Sequence, residues 1–143
     1  MRTEITARLI KQLSFLEGEL DGVAEVRSLS WERYQTDAVQ RRNVERLVEN
    51  IVNSSIDIAR IILNAAGLPT PETYGEIVRS IALVPGFDKE TSEALSRQVR
   101  LRNVISHQYL DIRWSSIRKF IDEAEPHYRK FAGDVQRHLA AHL

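Results

Sequence analysis

Three side chains capable of chemistry lie close together in the last third of the sequence. Arg102, His107 and Tyr109 fall within the segment Leu101–Tyr109, at the end of a predicted helix. An arginine can bind a phosphate through two hydrogen bonds and stabilise charge in a phosphoryl transition state. A histidine that titrates near neutral pH can act as a general base or a general acid. The set therefore suits cleavage of a phosphodiester, and in RNA the 2′-hydroxyl supplies the nucleophile.

The spacing of these residues imposes a geometric condition on any such site. Arg102 and Tyr109 are seven residues apart and would share one face of a helix that persists. Arg102 and His107 are five apart, which is about 140° of rotation on an ideal helix. The pair can act on one ligand only if the helix loosens near residues 106–108 or if a second subunit completes the site. Asn103, four residues before His107, could orient that histidine or bind phosphate.

Basic residues surround this segment although the chain as a whole is neutral. The sequence has 20 basic and 20 acidic residues, so global charge does not favour a nucleic-acid partner. Between residues 97 and 119, however, Asp111 is the one acid among six bases, which are Arg97, Arg100, Arg102, Arg113, Arg118 and Lys119. We expect Arg97 and Arg100 to support phosphate binding. The alternative is a solvated helix end whose cations offset the helix dipole.

The composition of the chain excludes several other kinds of site and of protein. With 143 residues, 43% apolar and 28% charged, the chain fits one soluble domain spanning residues 1–143. The absence of cysteine excludes disulfides, zinc–thiolate sites and a cysteine nucleophile. Because there is neither a run of 18 apolar residues nor a secretory N-terminus, we expect a cytoplasmic protein without membrane segments. The four histidines are not spaced with carboxylates as metal ligands, so neither a metal nor another cofactor is expected.

Helical periodicity dominates the sequence and predicts an all-α antiparallel bundle of four to five helices. The first helix covers about residues 3–26. The second extends from Trp31 to near Ala66, where Gly67 suits a left-handed cap, and its length indicates either a break near Asp37–Gln40 or a helix shared with a partner subunit. A short third helix begins at Thr73, which with Glu76 fits a capping box.

Two further helices position the Arg/His/Tyr segment. Asp88 is the expected N-cap of the fourth helix, which leads directly into this segment. Asp111 is the expected N-cap of the fifth, and Pro126 should kink or restart it. Tyr109 is thereby placed in a tight turn between helices, where it would be exposed and mobile.

The second helix also carries a polar stripe at helical spacing. Its members are Arg46, Asn50, Asn53, Asp57, Arg60 and Asn64. The spacings of three and four residues place all six on one face. This face is either solvated or directed into a polar cleft; the second alternative is favoured by the number of Asn and Asp residues, which are mediocre helix formers.

The segment Arg102-x-x-x-x-His107-x-Tyr109 resembles the R-x-x-x-x-H-x-Y motif of the HEPN ribonuclease superfamily, and the chain resembles most closely its HepT family. The resemblance covers most of the chain. Its other elements are Arg42–Leu47, Asp57–Ala59, the proline-rich break after the second helix, Thr73–Glu76 and the whole of Leu101–Tyr109.

This resemblance implies a specific fold and function. The fold would be an all-α HEPN-type bundle that works as a homodimer, with two copies of the motif facing each other across a cleft. The chain would be the toxin of a type VII HepT–MntA-like toxin–antitoxin pair, a metal-independent endoribonuclease that cleaves mRNA or tRNA. Arg102 and His107 match the catalytic pair, and Asn103 matches the polar position after the arginine. An MntA-like nucleotidyltransferase antitoxin would neutralise it by AMPylation of Tyr109, in a homodimer or a larger hetero-oligomer.

Two other hypotheses stay open at this point. One is a non-catalytic HEPN module that binds a nucleotide or a nucleotidyltransferase partner. The other is a helical bundle with a purely structural role. The complete Arg/His/Tyr set favours the ribonuclease, since neither alternative needs all three side chains.

Overall fold

The computed structural model describes residues 2–142, and throughout this range it consists of helices, turns and connecting segments without a strand. The all-α prediction is confirmed. The helices are α1 (Thr3–Asp21), α2 (Val23–Val26), α3 (Trp31–Thr36), α4 (Ala38–Ala65), α5 (Tyr74–Ser80), α6 (Lys89–Gln98), α7 (Leu101–His107), α8 (Leu110–Glu123) and α9 (Glu125–Ala141), with one 3₁₀ turn at Ile81–Leu83.

Each predicted helix is present, but each is divided into two segments. The first is interrupted at Gly22. The second breaks at Asp37, within the predicted region, because Asp37 has an extended backbone and its carboxylate accepts hydrogen bonds at 3.1 Å from the amides of Val39 and Gln40. This N-cap starts α4, whose 28 residues span about 42 Å. Pro126 lies in the first turn of α9, as predicted for a restart.

The junctions on either side of α7 differ from the sequence-based expectation. Between α6 and α7, the amides of Val99 and Arg102 donate to carbonyls only three residues back, which tightens and redirects the chain. The prediction that Asp111 caps the fifth helix is wrong. The chain already turns at Tyr109, which is the N-cap of α8, and Asp111 lies in the first turn, where an acid favours the helix dipole.

The long helix α4 lies at the centre of the bundle and contacts α1, α3, α5, α6, α7 and α8. Helix α1 runs antiparallel to it: Glu19, near the end of α1, accepts a 3.4 Å hydrogen bond from Asn50, whereas Ile5 lies beside Asn64 at the other end of α4. Helix α9 also packs antiparallel to α1. One face of α4 enters the core with Val44, Val48, Ile51, Val52, Ile58 and Ile62.

The segment between α4 and α6 is held by predicted caps. Gly67 adopts φ 73°, the left-handed conformation that ends α4 and that glycine accepts without a Cβ penalty. The Thr73 hydroxyl accepts from the Glu76 amide at 3.3 Å, which confirms the N-cap of α5. Asp88 likewise caps α6, accepting from the Thr91 amide at 2.9 Å. These caps fix where α5 begins, and therefore where Tyr74 lies.

Candidate active site

Helix α7 carries both Arg102 and His107 and is regular between them. Leu101 and Ile105 anchor it to the core, with 1% and 6% of their surfaces exposed. The Gln108 amide donates to the Val104 carbonyl at 3.0 Å, so the helical pattern continues to the end of the segment. The backbone becomes extended only at Gln108, so Arg102 and His107 both lie within the helix, five residues apart, which is about 140° of rotation on an ideal α-helix.

Tyr109 occupies the turn between α7 and α8, as predicted. Its backbone is extended and its carbonyl accepts from the Arg113 amide at 2.9 Å, which begins α8. Its side chain does not cap the helix and is 82% exposed, the most exposed of the large apolar and aromatic residues of the described chain. The phenol is thus accessible to another enzyme without any change in the fold. His107 is also exposed.

Arg102 lies against an aromatic ring. Its guanidinium carbon is 4.3 Å from the centroid of the Tyr74 ring, the distance of a cation–π contact. Arg60, on α4, approaches the same ring at 5.9 Å. Together with Asn53, Ile56 and Asp57, these three residues line an open cavity of about 200 Å³, called the Arg102 cavity below.

The polar stripe of α4 divides between different surroundings. Asn53, Asp57 and Arg60 line the Arg102 cavity, so of the two alternatives the central part of the stripe faces a polar cleft. Arg46 and Asn50 line a separate groove against α1 and α2 instead. Within the cavity Asp57 and Arg60 form a long ion pair of 3.5 Å.

The basic patch is smaller than the sequence indicates, because two of its six cations are used in the fold. Arg118 binds Asp122 at 2.6 Å and also donates to the backbone carbonyls of Arg27 and Leu29. Arg113 forms a 3.0 Å ion pair with Glu45. Four remain without an ion-pair partner among residues 2–142: Arg97, Arg100, Arg102 and Lys119.

The supporting residues lie around α7 at the surface. Arg97 is in the last turn of α6, Arg100 precedes the first residue of α7, and Asn103 follows Arg102. All three are exposed, and their side chains form no hydrogen bond to another described residue. They are therefore available to a ligand, and no hydrogen bond within residues 2–142 fixes their orientation.

A half-buried network supports the corner between α7 and α8. The Glu45 carboxylate accepts hydrogen bonds from the Tyr34 hydroxyl and from Arg113. Burial, followed by the hydrogen bond to Glu45, raises the pKa of the fully buried Tyr34 far above its ordinary value. Arg113 also approaches the Ile105 carbonyl at 3.5 Å, which connects this network to α7. Sequence patterns could not indicate this network, because Tyr34 and Arg113 are 79 residues apart.

Within residues 2–142, no group of three or more histidine, aspartate or glutamate side chains is arranged as metal ligands. No helix of residues 2–142 is both long and apolar enough to cross a membrane.

Comparisons with known proteins place this geometry in a family. The model of the family described as "Ribonuclease HepT-like" matches residues 8–135. The fold is similar to that of a Shewanella oneidensis HEPN toxin, solved in tri-AMPylated form in complex with an MNT antitoxin: the TM-score is 0.78 at 17% identity, over 96% of this chain and 99% of that one. The sequence has no significant match among curated proteins. Because the family model spans most of the chain, including all of α7 and Tyr109, the protein belongs to the HepT-like ribonuclease family.

Proposed function

We propose that this protein is the toxin of a type VII HepT–MntA-like toxin–antitoxin pair and that it is a metal-independent endoribonuclease. The observation that carries the proposal is the placement of Arg102 and His107 on one short helix, next to a freely exposed Tyr109. Membership of the HepT-like family and the similarity to an AMPylated HEPN toxin bound to an MNT antitoxin support it.

The proposed reaction is an attack of the RNA 2′-hydroxyl on the adjacent phosphorus. His107 takes the proton of the hydroxyl as the new P–O bond forms, and Arg102 stabilises the negative charge on the phosphoryl oxygens. The bond to the 5′-oxygen of the next nucleotide then breaks, and that oxygen receives a proton from water, while the protonated His107 releases its proton to the solvent. The products are a 2′,3′-cyclic phosphate and a free 5′-hydroxyl. Arg97, Arg100 and Asn103 are proposed to bind neighbouring phosphates.

A homodimer would bring the two catalytic side chains together. Since α7 is regular, Arg102 and His107 of one chain point in different directions, and a second copy with its own α7 across a cleft can supply the missing residue. We therefore propose that the active enzyme is a homodimer with shared sites.

Tyr109 is the proposed site of control. An MntA-like nucleotidyltransferase antitoxin would transfer AMP to it: the phenolic oxygen attacks the α-phosphorus of ATP, pyrophosphate leaves, and the phenolic proton is released. The modification adds bulk and negative charge beside a cationic site for phosphate, so RNA is both repelled and obstructed. The 82% exposure of the side chain makes this transfer sterically simple.

A cleavage assay with purified protein tests the enzymatic part. The unmodified protein should cut RNA in the presence of excess EDTA, and Arg102→Ala or His107→Ala should reduce the rate by a factor of 100 or more, roughly the contribution of one such group. His127→Ala, an exposed histidine on α9, is the matched control and should leave the rate unchanged. Loss of cleavage in EDTA, restored by a divalent cation, would contradict metal independence.

The second candidate function is a non-catalytic HEPN module that binds a nucleotide or a nucleotidyltransferase partner. It is favoured by the same exposure of Tyr109, which suits a docking or modification site even without catalysis. Expression without the antitoxin separates the two functions. Growth arrest that depends on Arg102 and His107 supports the toxin, whereas an innocuous protein that still becomes AMPylated on co-expression supports the module.

A further inference from the structure

Tyr74 contacts Arg102, although the sequence assigns it no part in the site. It is the first residue of α5, and 46% of its surface is exposed although its ring is flanked by two guanidinium groups. We propose that the Arg102 cavity is a subsite for phosphate groups of the RNA backbone, in which Tyr74 positions Arg102 and Arg60 supplies a second guanidinium. This inference rests on the proposed ribonuclease function.

The backbone around Tyr74 is held by hydrogen bonds to neighbouring side chains. The Thr73 side chain caps α5, and the hydroxyl of the buried Ser96 on α6 donates to the Gly75 carbonyl at 3.0 Å. A Cβ at Gly75 would lie 3.4 Å from the Ser96 hydroxyl oxygen, so the two helices are in close contact there. The backbone that carries the ring is therefore held in place, and a guanidinium already stacked on the ring has less freedom to lose on binding a ligand.

Arg102 is held by this ring without being neutralised. No carboxylate within residues 2–142 forms an ion pair with it, and its guanidinium carbon lies 4.3 Å from the ring centroid. An aromatic face attracts a cation but does not occupy its N–H donors. The guanidinium thus keeps its full charge and its paired donors for a ligand, and a planar pair of donors matches the oxygens of a phosphate.

Arg60 adds a second cation from a different helix. Its pairing with Asp57 is long, at 3.5 Å, and both side chains are substantially exposed, at 39% and 47%. Such a pair costs little to rearrange. With two arginines against one aspartate the cavity carries a formal charge of about +1, and the Asn53 amide can donate a further hydrogen bond. This combination favours an anion with several acceptor oxygens.

The test is the salt dependence of binding to a short single-stranded 2′-O-methyl RNA, which lacks the nucleophile and cannot be cleaved. Each lost phosphate contact should reduce the slope of log K against log salt by about 0.7 for a single strand. Arg60→Gln is expected to give that reduction and Arg60→Lys to retain the slope. Arg46→Gln is the matched control, because Arg46 lies on the same face of α4 but lines a different groove.

Tyr74 is tested by comparing substitutions that keep and remove the aromatic face. Tyr74→Leu should weaken RNA binding about two- to five-fold at constant salt. Tyr74→Phe keeps the aromatic face and should retain most of the affinity. In an Arg102→Gln background, Tyr74→Leu should have no further effect, since the ring acts through Arg102. The positioning role would be overturned if Tyr74→Leu still weakened RNA binding in the Arg102→Gln background, or if Tyr74→Phe weakened it as much as Tyr74→Leu.

The outcomes also separate this inference from the ribonuclease function. Binding with the expected Arg60 slope, in a protein that does not cleave ordinary RNA, would support the subsite and reject the catalytic role. Cleavage that depends on Arg102 but is accompanied by an unchanged slope in Arg60→Gln would reject the subsite alone. Absence of any RNA binding by the unaltered protein would reject both.

Discussion

Arg102 and His107 lie five residues apart on the same helix, α7, a separation that corresponds to about 140° of rotation on an ideal α-helix. With this separation we expect the two groups of a single chain to face different ligands, and a second subunit to supply the missing group. A shared site of this kind requires a dimer, and mixing two variant subunits tests that requirement.

We expect mixed dimers of Arg102→Ala and His107→Ala subunits to recover cleavage that neither variant has alone. In a mixed dimer, one of the two shared sites contains an intact arginine and an intact histidine. With random equal mixing, half of the dimers are mixed and one site in each is complete, so about a quarter of the unaltered activity should return. The measurement is the cleavage rate after joint refolding or co-expression. Absence of recovery, with dimers verified by mass, would contradict shared sites.

Tyr109→Phe should separate activity from control. The substitution removes only an exposed hydroxyl, so folding and RNA cleavage should be retained within about two-fold. The phenolic oxygen is the proposed acceptor of AMP, and its loss should make the protein toxic even when the antitoxin is co-expressed. Intact mass spectrometry should find AMP on the unaltered protein and none on the variant. AMP found on the variant at another residue would contradict the assignment to Tyr109.

Removal of the Glu45 carboxylate should destabilise the corner that presents α7. Glu45→Ala leaves the buried Tyr34 hydroxyl and Arg113 without their shared acceptor, and we expect the free energy of unfolding to fall by about 2–4 kcal/mol. Glu45→Gln, which keeps an acceptor oxygen, should cost less. Glu76→Ala breaks an exposed pair with Arg79 and should cost less than about 1 kcal/mol. Equal losses of unfolding free energy for Glu45→Ala and Glu76→Ala, measured by urea denaturation, would contradict a stabilising role of the Glu45 network.

The stability of the protein should depend on pH through His138. Burial lowers the pKa of His138 below its ordinary value of 6.5, and the neighbouring His142 lowers it further. The unfolded chain therefore binds this proton more readily than the folded one. The contribution is complete above about pH 6.5 and is lost as the pH falls through the folded pKa. His138→Gln should make the fall in unfolding free energy between about pH 6.5 and 5 shallower; an identical pH profile would contradict this origin.

Local signals account for the part of the fold that the sequence predicted. Asp37, Gly67, Thr73, Asp88 and Pro126 mark helix boundaries through side chains or backbone preferences that act within a few residues, and each acts where expected. Asp111 was assigned wrongly for the same local reason. It is a good capping residue, but the extended backbone of Gln108 and Tyr109 begins the next helix before Asp111 is reached.

The contacts around the site cannot be predicted from the sequence. The motif residues are contiguous and could be identified, whereas the contact of Arg102 with Tyr74 joins two helices that are separated by α6 and the segment before it. Likewise, Arg113 pairs with Glu45, which is distant in the chain. Arg118 pairs with Asp122, four residues further on, and also donates to the distant carbonyls of Arg27 and Leu29. Charge counts along a sequence cannot distinguish a cation that binds ligands from one that holds the fold.

Tyr109 contributes to the fold through its backbone alone, since its carbonyl begins α8 while its ring extends into solvent. Within residues 2–142, a group attached to the phenolic oxygen therefore displaces little packing and breaks no hydrogen bond. The free energy of unfolding should be the same for the modified and unmodified forms of an isolated chain. A silenced molecule would then be as durable as an active one, so a cell could accumulate it without increasing the load on its chaperones and proteases.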